Sequence, residues 1–242
     1  YIMDASTSAR FSQASYRMLE SGNKDERASR INNDIKDTGY VVDTGNSNRD
    51  ILVLRDDKNK KVHIAHRGTD TSGKRSKQDI TADLAFGAGL AQHNEHFNKR
   101  KSRTTKIVKQ YRDGNEISLS GHSYGGGSVK YALANSKPVR DSVKIAHTYN
   151  TASHPLPISS VKVGRKVKKD LDDKVIHHRH KDDVVSMGLK SVVPFGKVKE
   201  YGGKESITKR MLKNSNPVFK TVNALDAHKL HHFIEKSENA DF

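Results

Sequence analysis

One short run of residues constrains the fold of this chain more than any other feature. It is a G-x-S-x-G sequence, Gly121-His122-Ser123-Tyr124-Gly125, between the strand-like EISLS and the helix-like SVKYALAN. A serine between small residues at such a junction is typical of a sharp strand-to-helix turn that lifts the serine hydroxyl above a sheet. The N-terminus of the new helix would direct backbone N–H groups at the same place. An ordinary glycine-rich turn also fits the five residues alone, but the flanking strand and helix favour the first interpretation.

Short apolar runs alternate with helical patterns along the rest of the chain. Apolar runs that predict strands lie at 40–42, 51–54, 62–65, 117–119, 143–146 and 175–176, and helical patterns lie at 6–20, 95–112 and 128–135. Turn residues between the first three runs predict hairpins. Strands that alternate with helices predict an α/β fold with a mixed, mostly parallel sheet and helices on both faces. We expect a single domain over residues 1–242, with Lys-rich excursions near 161–174 and 192–216.

The composition limits both the core and the chemistry. Lys and Arg number 44 against 28 Asp and Glu, a net charge of +16, and apolar residues make up 33%. The core must therefore be lean, that is, built from few apolar side chains. The charge predicts attraction to phosphates or anionic lipid surfaces. Because the chain has no Cys, disulfides, thiolate catalysis and Cys-ligated zinc are excluded. No run approaches the roughly 20 apolar residues of a membrane span, so we expect a soluble protein without a transmembrane segment.

The residues downstream of Ser123 include the partners that a nucleophilic serine needs. A histidine must take the serine proton, and a carboxylate must orient that histidine. On sheets of this kind the chain order is serine, acid, histidine. Asp182 and Asp183 directly follow a predicted strand and are the best-placed acids. The histidines after them are His228, His231 and His232, and the residues alone leave both choices open.

Several further motifs stand in a recognisable order along the chain. They are the Ala-rich first helix with Ala14 to Tyr16, KVHIAHRGT, QDITADL, the pair His96-Phe97, GHSYGG, TYNTASHP, DDVVSMG and AHKLHHF. In this order they resemble the motifs of the fungal-type or class 3 lipases, a branch of the α/β-hydrolase fold. The resemblance runs from about residue 5 to about residue 235 and is most specific in the HRGT and GHSYGG boxes.

The resemblance implies three catalytic residues: Ser123 as the nucleophile, Asp183 as the orienting acid and His228 as the general base. Asp183 is favoured over Asp182 because it directly precedes Val-Val-Ser in the expected register. The oxyanion hole is implied at the backbone N–H groups of Thr69 and Tyr124. No cofactor and no metal are implied.

Other residues in these motifs are expected to support the site. The turn around Ser123 would be built by Gly121, His122 and Gly125. The competing choices for the general base are His231 and His232. We expect structural roles for four more residues, namely His63, His66, Asp79 and Asp83.

The resemblance implies a serine hydrolase of carboxylic esters, namely a lipase, a phospholipase A-type enzyme or an esterase, that works through an acyl-enzyme. Where family lipases carry an apolar lid, this chain has the short, cationic TDTSGKRSKQ, which favours a phospholipid or a small soluble ester over triglyceride droplets. The positive charge would concentrate the enzyme at an anionic membrane surface. The alternative is a catalytically silent protein of the same fold, a basic structural component that binds nucleic acid or a larger assembly such as a virus particle.

Overall fold

The computed structural model describes residues 2–69, 90–151, 165–181, 195–202, 230–231 and 233–234. The strands within them are β1 (Val41–Val42), β2 (Ile51–Asp56), β3 (Lys61–His66), β4 (Glu116–His122), β5 (Val143–Tyr149), β6 (Val175–His180) and β7 (Lys197–Tyr201). The α-helices are α1 (Ala5–Ala14), α2 (Lys24–Asp34), α3 (Leu90–Tyr111), α4 (Tyr124–Asn135), α5 (Lys137–Ser142) and α6 (Arg165–Asp172). Short 3₁₀ helices span Ser15–Leu19 and Lys36–Thr38.

The seven strands form one sheet whose order follows the chain from β1 to β7. The pairs β1–β2 and β2–β3 are antiparallel, and every pair from β3 to β7 is parallel. The prediction of a mixed, mostly parallel sheet is therefore confirmed, as are the hairpins at its start. Because β3 to β7 run in the same direction, their carboxyl ends lie at one edge of the sheet, and Ser123 follows β4 at that edge.

Helices cover both faces of the sheet, as predicted. Along β2, Ile51 and Val53 belong to the apolar core under α3 and α4. Leu52 and Leu54 belong to a second core, which includes side chains of α1 and α2. This alternation follows from the two-residue period of a strand, which sends successive side chains to opposite faces.

Hydrogen-bonded polar side chains complete the lean core on the α1 face. His63 on β3 lies between Ser118 and Ser120 on β4, with each ring nitrogen 2.8 Å from a serine Oγ. Ser12 on α1 donates to the Ser120 hydroxyl at 2.8 Å. Burial lowers the pKa of His63 to about 3, so the ring is neutral at pH 7. The polar side chains of this cluster are buried with their hydrogen bonds satisfied. Such packing helps a chain with only 33% apolar residues to cover its sheet.

Helices α2, α5 and α6 and strand β7 were not predicted from the sequence. Helix α2 is strongly polar, and it begins at a capping box in which Asn23 and Glu26 each bond to the other's backbone N–H. Helix α6 lies within the Lys-rich stretch 161–174 and buries Leu171. Strand β7 lies within the stretch 192–216 and pairs with β6 at the edge of the sheet. The described parts of those two stretches therefore contain regular structure, because backbone pairing does not require an apolar pattern on an exposed edge strand.

Candidate active site

Ser123 occupies a strained turn between β4 and α4. Its backbone has φ 53° and ψ −120°, a conformation that residues other than glycine rarely adopt. The Ser123 N–H donates to the Tyr149 carbonyl at 2.9 Å, and the Ser123 carbonyl accepts from the Gly126 N–H at 3.0 Å. Strain of this kind persists where the surroundings enforce it, and it concentrates at functional sites.

Two glycines allow the chain to turn this sharply. A Cβ on Gly121 would lie 2.4 Å from the carbonyl carbon of Gly125. A Cβ on Gly125 would lie 2.1 Å from the carbonyl oxygen of His66. Both obstacles are backbone atoms, so neither position has room for a side chain. The close approach at Gly125 also brings the start of α4 against the end of β3.

The end of β3 leads into the HRGT segment, which lies against the Ser123 turn. A Cβ on Gly68 would lie 2.0 Å from the Tyr16 hydroxyl and 2.8 Å from the His122 carbonyl oxygen. Thr69 follows directly and is partly exposed. The structure therefore packs Gly68, which precedes Thr69, against His122 of the turn that leads to Tyr124.

Two buried arginines share one carboxylate beside the HRGT segment. Arg67 Nη2 and Arg100 Nη2 lie 3.2 and 3.1 Å from Asp50 Oδ1. Each arginine also donates to a backbone carbonyl at 2.6 Å: Arg100 to Arg67, and Arg67 to Gly68. Burial lowers the pKa of Arg100, and the negative charge of Asp50 partly offsets this effect. Two guanidinium groups and one carboxylate leave a net positive charge close to the turn.

The side chain of Tyr124 is held between α3 and its own helix. Its ring stacks on Phe97 with centroids 4.8 Å apart, and the Arg100 guanidinium lies 5.2 Å from the ring centroid. Burial raises the pKa of Tyr124 to about 12, so its phenol stays protonated at neutral pH. The Tyr124 hydroxyl is therefore a poor acid or base at pH 7. The group that Tyr124 can contribute to a reaction is its backbone N–H.

The histidines that precede Ser123 are held by hydrogen bonds. His122 Nδ1 lies 2.7 Å from the Tyr16 hydroxyl. His66 Nδ1 and Nε2 lie 2.8 and 2.9 Å from the hydroxyls of Ser128 and Thr104. Burial lowers the pKa of His66 to about 3. A neutral ring with both nitrogens engaged fits the packing role expected for His66 and leaves it a poor general base.

The histidines on β5 and β6 form a second buried group. His147 Nδ1 lies 2.9 Å from His178 Nε2, and His178 Nδ1 lies 2.8 Å from the Tyr201 hydroxyl. His177 Nδ1 lies 2.7 Å from the Thr148 hydroxyl. Burial lowers the pKa of His178 to about 2 and that of His177 to about 3. These rings are bound within the sheet, which favours a general base from another part of the chain.

The described part of the AHKLHHF motif packs at the carboxyl end of β5. Phe233 lies 5.3 Å from Tyr149 and 5.1 Å from Tyr201, measured between ring centroids. Leu230 is buried with them, and the Ser6 hydroxyl donates to the Ile234 carbonyl at 3.3 Å. The Tyr149 carbonyl accepts from the Ser123 N–H. The C-terminal segment therefore packs on a residue that is itself hydrogen-bonded to the Ser123 turn.

Several predicted site residues lie outside the described residues: Asp182, Asp183, His228, His232, Asp79, Asp83 and the stretch 70–78. Asp182 follows Lys181, whose N–H donates to the Tyr201 carbonyl at 2.9 Å just beyond the end of β6. His231 is described and partly exposed. The choices between the two acids and among the three histidines therefore remain predictions.

Asp50 and Arg100 were missed from the sequence. Arg67 stands in the HRGT motif, but Arg100 is one of many cations on a basic helix, and nothing in its spacing distinguishes it. Among the described residues, no group of three His, Asp or Glu side chains is arranged to hold a metal ion. In the same part of the chain, no helix is both long and apolar enough to cross a membrane.

Residues 50–210 of the chain match the model of one protein family, described as Mbeg1-like, which is a lipase-like family. No curated protein sequence matches the chain. Similar solved structures include a mutant of MDLA from Penicillium cyclopium, at 16% identity and TM-score 0.45, covering 80% of this chain and 76% of that one. A lipase from Rhizopus microsporus var. chinensis matches at 12% identity and TM-score 0.41, covering 74% and 67%. A fungal lipase matches at 16% identity and TM-score 0.41, covering 75% and 72%.

Proposed function

The chain belongs to the Mbeg1-like family, and from that membership and the Ser123 turn we propose that it is a serine hydrolase of carboxylic esters. The observation that carries the proposal is the backbone of Ser123, at φ 53° between β4 and α4. Gly121 and Gly125 are packed against backbone on either side of it. An ordinary turn would not need a serine in this conformation, whereas a nucleophile that must project above the sheet does.

The reaction proceeds in two halves. Ser123 Oγ attacks the ester carbonyl carbon while His228 takes the hydroxyl proton, and the carbonyl oxygen becomes an oxyanion that accepts from the N–H groups of Thr69 and Tyr124. The bond to the alcohol then breaks, and the alcohol leaves with the proton from His228. Water attacks the acyl-Ser123 ester in the same way, which releases the acid and restores the serine. Asp183 orients His228 throughout.

Two observations support a general base from the C-terminal motif. The buried histidines of β3 and β6 that are held at a pKa of about 3 or below are unsuited to accept a proton at neutral pH. Phe233, which lies five residues after His228, packs on Tyr149 at the end of β5. The assignment of His228 over His231 and His232 continues to rest on the motif.

The substrate is proposed from the sequence. The stretch that follows Thr69 is cationic and lacks large apolar residues, which favours a phospholipid or a small soluble ester over a triglyceride droplet. Exposed cations on α3, namely Lys99, Lys106 and Lys109, contribute to a positive surface that attracts anionic headgroups.

The proposal is tested by ester turnover with a matched pair of serine variants. Wild type should hydrolyse short-chain p-nitrophenyl esters, and Ser123→Ala should lose at least about a thousandfold in kcat. Ser102→Ala removes an exposed hydroxyl from α3 and should behave as wild type. A folded wild type that turns over neither these esters nor phospholipid vesicles would overturn the proposal, as would full activity of Ser123→Ala.

The silent, basic alternative makes the opposite prediction. A protein that serves only to bind nucleic acid should show no turnover and a steep salt dependence of binding to duplex DNA, with a log–log slope of about −0.9 for each phosphate neutralised. Weak binding with a shallow slope, together with ester turnover, would exclude it.

A further inference from the structure

The Arg100 side chain contacts both Arg67 and Tyr124, which lie on the two chain segments beside the proposed oxyanion site. It extends from α3, is 5% exposed, and donates from Nη1 to the Arg67 carbonyl at 2.6 Å. Its guanidinium also lies 5.2 Å from the centroid of the Tyr124 ring. Arg67 stands two residues before Thr69, and Tyr124 directly follows Ser123. A single cation therefore connects the HRGT segment to the start of α4.

The contacts on the HRGT side fix the orientation of two consecutive peptide groups. Arg100 binds the carbonyl of Arg67, and Arg67 binds the carbonyl of Gly68. In a trans peptide the N–H points away from the carbonyl of the same group. The peptide that joins Gly68 to Thr69 therefore directs the Thr69 N–H away from the Arg67 guanidinium. Asp50, which accepts from both arginines, holds the two guanidinium groups at a fixed separation.

The contacts on the other side fix Tyr124. Its ring lies against Phe97 and Arg100, which both belong to α3 and stand three residues apart on one face of the helix. A cation over an aromatic ring is attracted by the negative face of the ring, and the attraction is stronger where water is excluded. The position of the Tyr124 backbone N–H is therefore coupled to the same guanidinium that holds the HRGT segment.

From these contacts we infer that Arg100 is a positioning residue, which sets the spacing between the Thr69 and Tyr124 N–H groups that receive the oxyanion. The inference rests on the proposed ester hydrolysis. Arg100 does not touch the reacting atoms, so its loss should displace the two donors without removing either. Displacements of about 1 Å can cost 100-fold in rate. Because the donors act on the developing oxyanion more than on the substrate carbonyl, the loss should fall on kcat and leave KM nearly unchanged.

The test compares Arg100→Met and Arg100→Lys with Arg103→Met. Arg103 lies on the same helix and donates to the Asn46 carbonyl at 2.8 Å. We expect a 10- to 100-fold loss of kcat in Arg100→Met, with KM changed less than twofold, partial recovery in Arg100→Lys, and normal kinetics in Arg103→Met. A boronic acid that forms a tetrahedral, anionic adduct with Ser123 should lose affinity in proportion to kcat/KM across the series. A purely structural role would not produce that proportionality.

The outcomes separate the two proposals. If wild type neither turns over esters nor binds the boronic acid, the proposed function fails and the inference fails with it. If wild type is active and both Arg100 variants match its kcat and boronic acid affinity, only the inference fails. Where circular dichroism shows Arg100→Met unfolded, Arg100→Lys decides: it supports the inference if kcat falls at least fivefold with KM unchanged, and any other result overturns it.

Discussion

The hydroxyl of Tyr16 lies 2.7 Å from Nδ1 of His122. This bond joins the 3₁₀ helix that follows α1 to the residue directly before Ser123. The same hydroxyl occupies the space that a side chain at Gly68 would need, at 2.0 Å from the position of a Cβ there. Tyr16 therefore contacts both chain segments that meet at the candidate site.

Replacing Tyr16 by Phe should weaken both contacts while keeping the ring. We expect Tyr16→Phe to lose about 1 kcal/mol of unfolding free energy, the usual net value of one hydrogen bond. The matched control is Tyr131→Phe, which removes an exposed bond of 2.9 Å to Asn98 Oδ1 and should stay within about 0.5 kcal/mol of wild type. Urea unfolding of the three proteins measures the difference, and equal midpoints for all three would show that the Tyr16 hydroxyl contributes nothing.

Two of the three glycines near the start of α4, Gly125 and Gly127, should respond in opposite ways to a methyl group. A Cβ on Gly125 meets the His66 carbonyl oxygen at 2.1 Å, whereas a Cβ on Gly127 meets Phe97 Cζ at 3.4 Å, an ordinary contact. Gly125→Ala should lose about 1–3 kcal/mol or more, and ester turnover with it, because backbone must move. Gly127→Ala should be neutral or up to about 1 kcal/mol more stable, since alanine favours a helix. Thermal melting and turnover of both variants check this, and a stable, active Gly125→Ala would contradict the close approach.

Lys130 is a buried cation that the proposed reaction does not use. It is 1% exposed, and within the described part of the chain its Nζ has no hydrogen-bond partner. Burial lowers its pKa from 10.5 to about 8. Between these two values the unfolded chain binds more protons than the folded one, so stability should rise with pH from about 8 to about 10.5.

Removing the charge should remove that pH dependence. We expect Lys130→Met to be about 1–3 kcal/mol more stable than wild type at pH 7. Over the range from pH 8 to 10 it should lack the contribution of up to about 1.4 kcal/mol per pH unit that Lys130 makes in wild type. Lys106→Met, on the exposed face of α3, should leave both quantities unchanged. Denaturant unfolding across this pH range measures them, and a destabilised Lys130→Met would mean that the ammonium has a favourable partner.

The sequence predicts the parts of this molecule that depend on local patterns. The Ser123 turn follows from glycines at fixed spacing between an apolar run and a helical pattern, and the strands β2 to β6 follow from their apolar runs. Helix α2 is missed because it is strongly polar, with only Ala28 and Ile31 buried, and its start depends on the reciprocal capping of Asn23 and Glu26.

The remaining features depend on contacts between distant parts of the chain. Strand β7 is exposed on its side chains and exists through backbone pairing with β6, which no local pattern reports. The Arg100 guanidinium reaches Arg67 and Asp50, 33 and 50 residues away. Its neighbours on α3 are also cationic, so only the packed structure separates this buried arginine from those that face solvent.

Covalent labelling with a fluorophosphonate tests most directly whether Ser123 is the nucleophile. Attack by Ser123 Oγ forms a phosphorus–oxygen bond as the phosphorus–fluorine bond breaks, fluoride leaves, and the hydroxyl proton passes to the base. We expect one phosphonyl adduct in the intact mass of folded wild type, located by peptide mapping at Ser123, and none in Ser123→Ala. A folded wild type that gains no adduct, or that gains it at another residue, would contradict the claim that this turn carries the nucleophile.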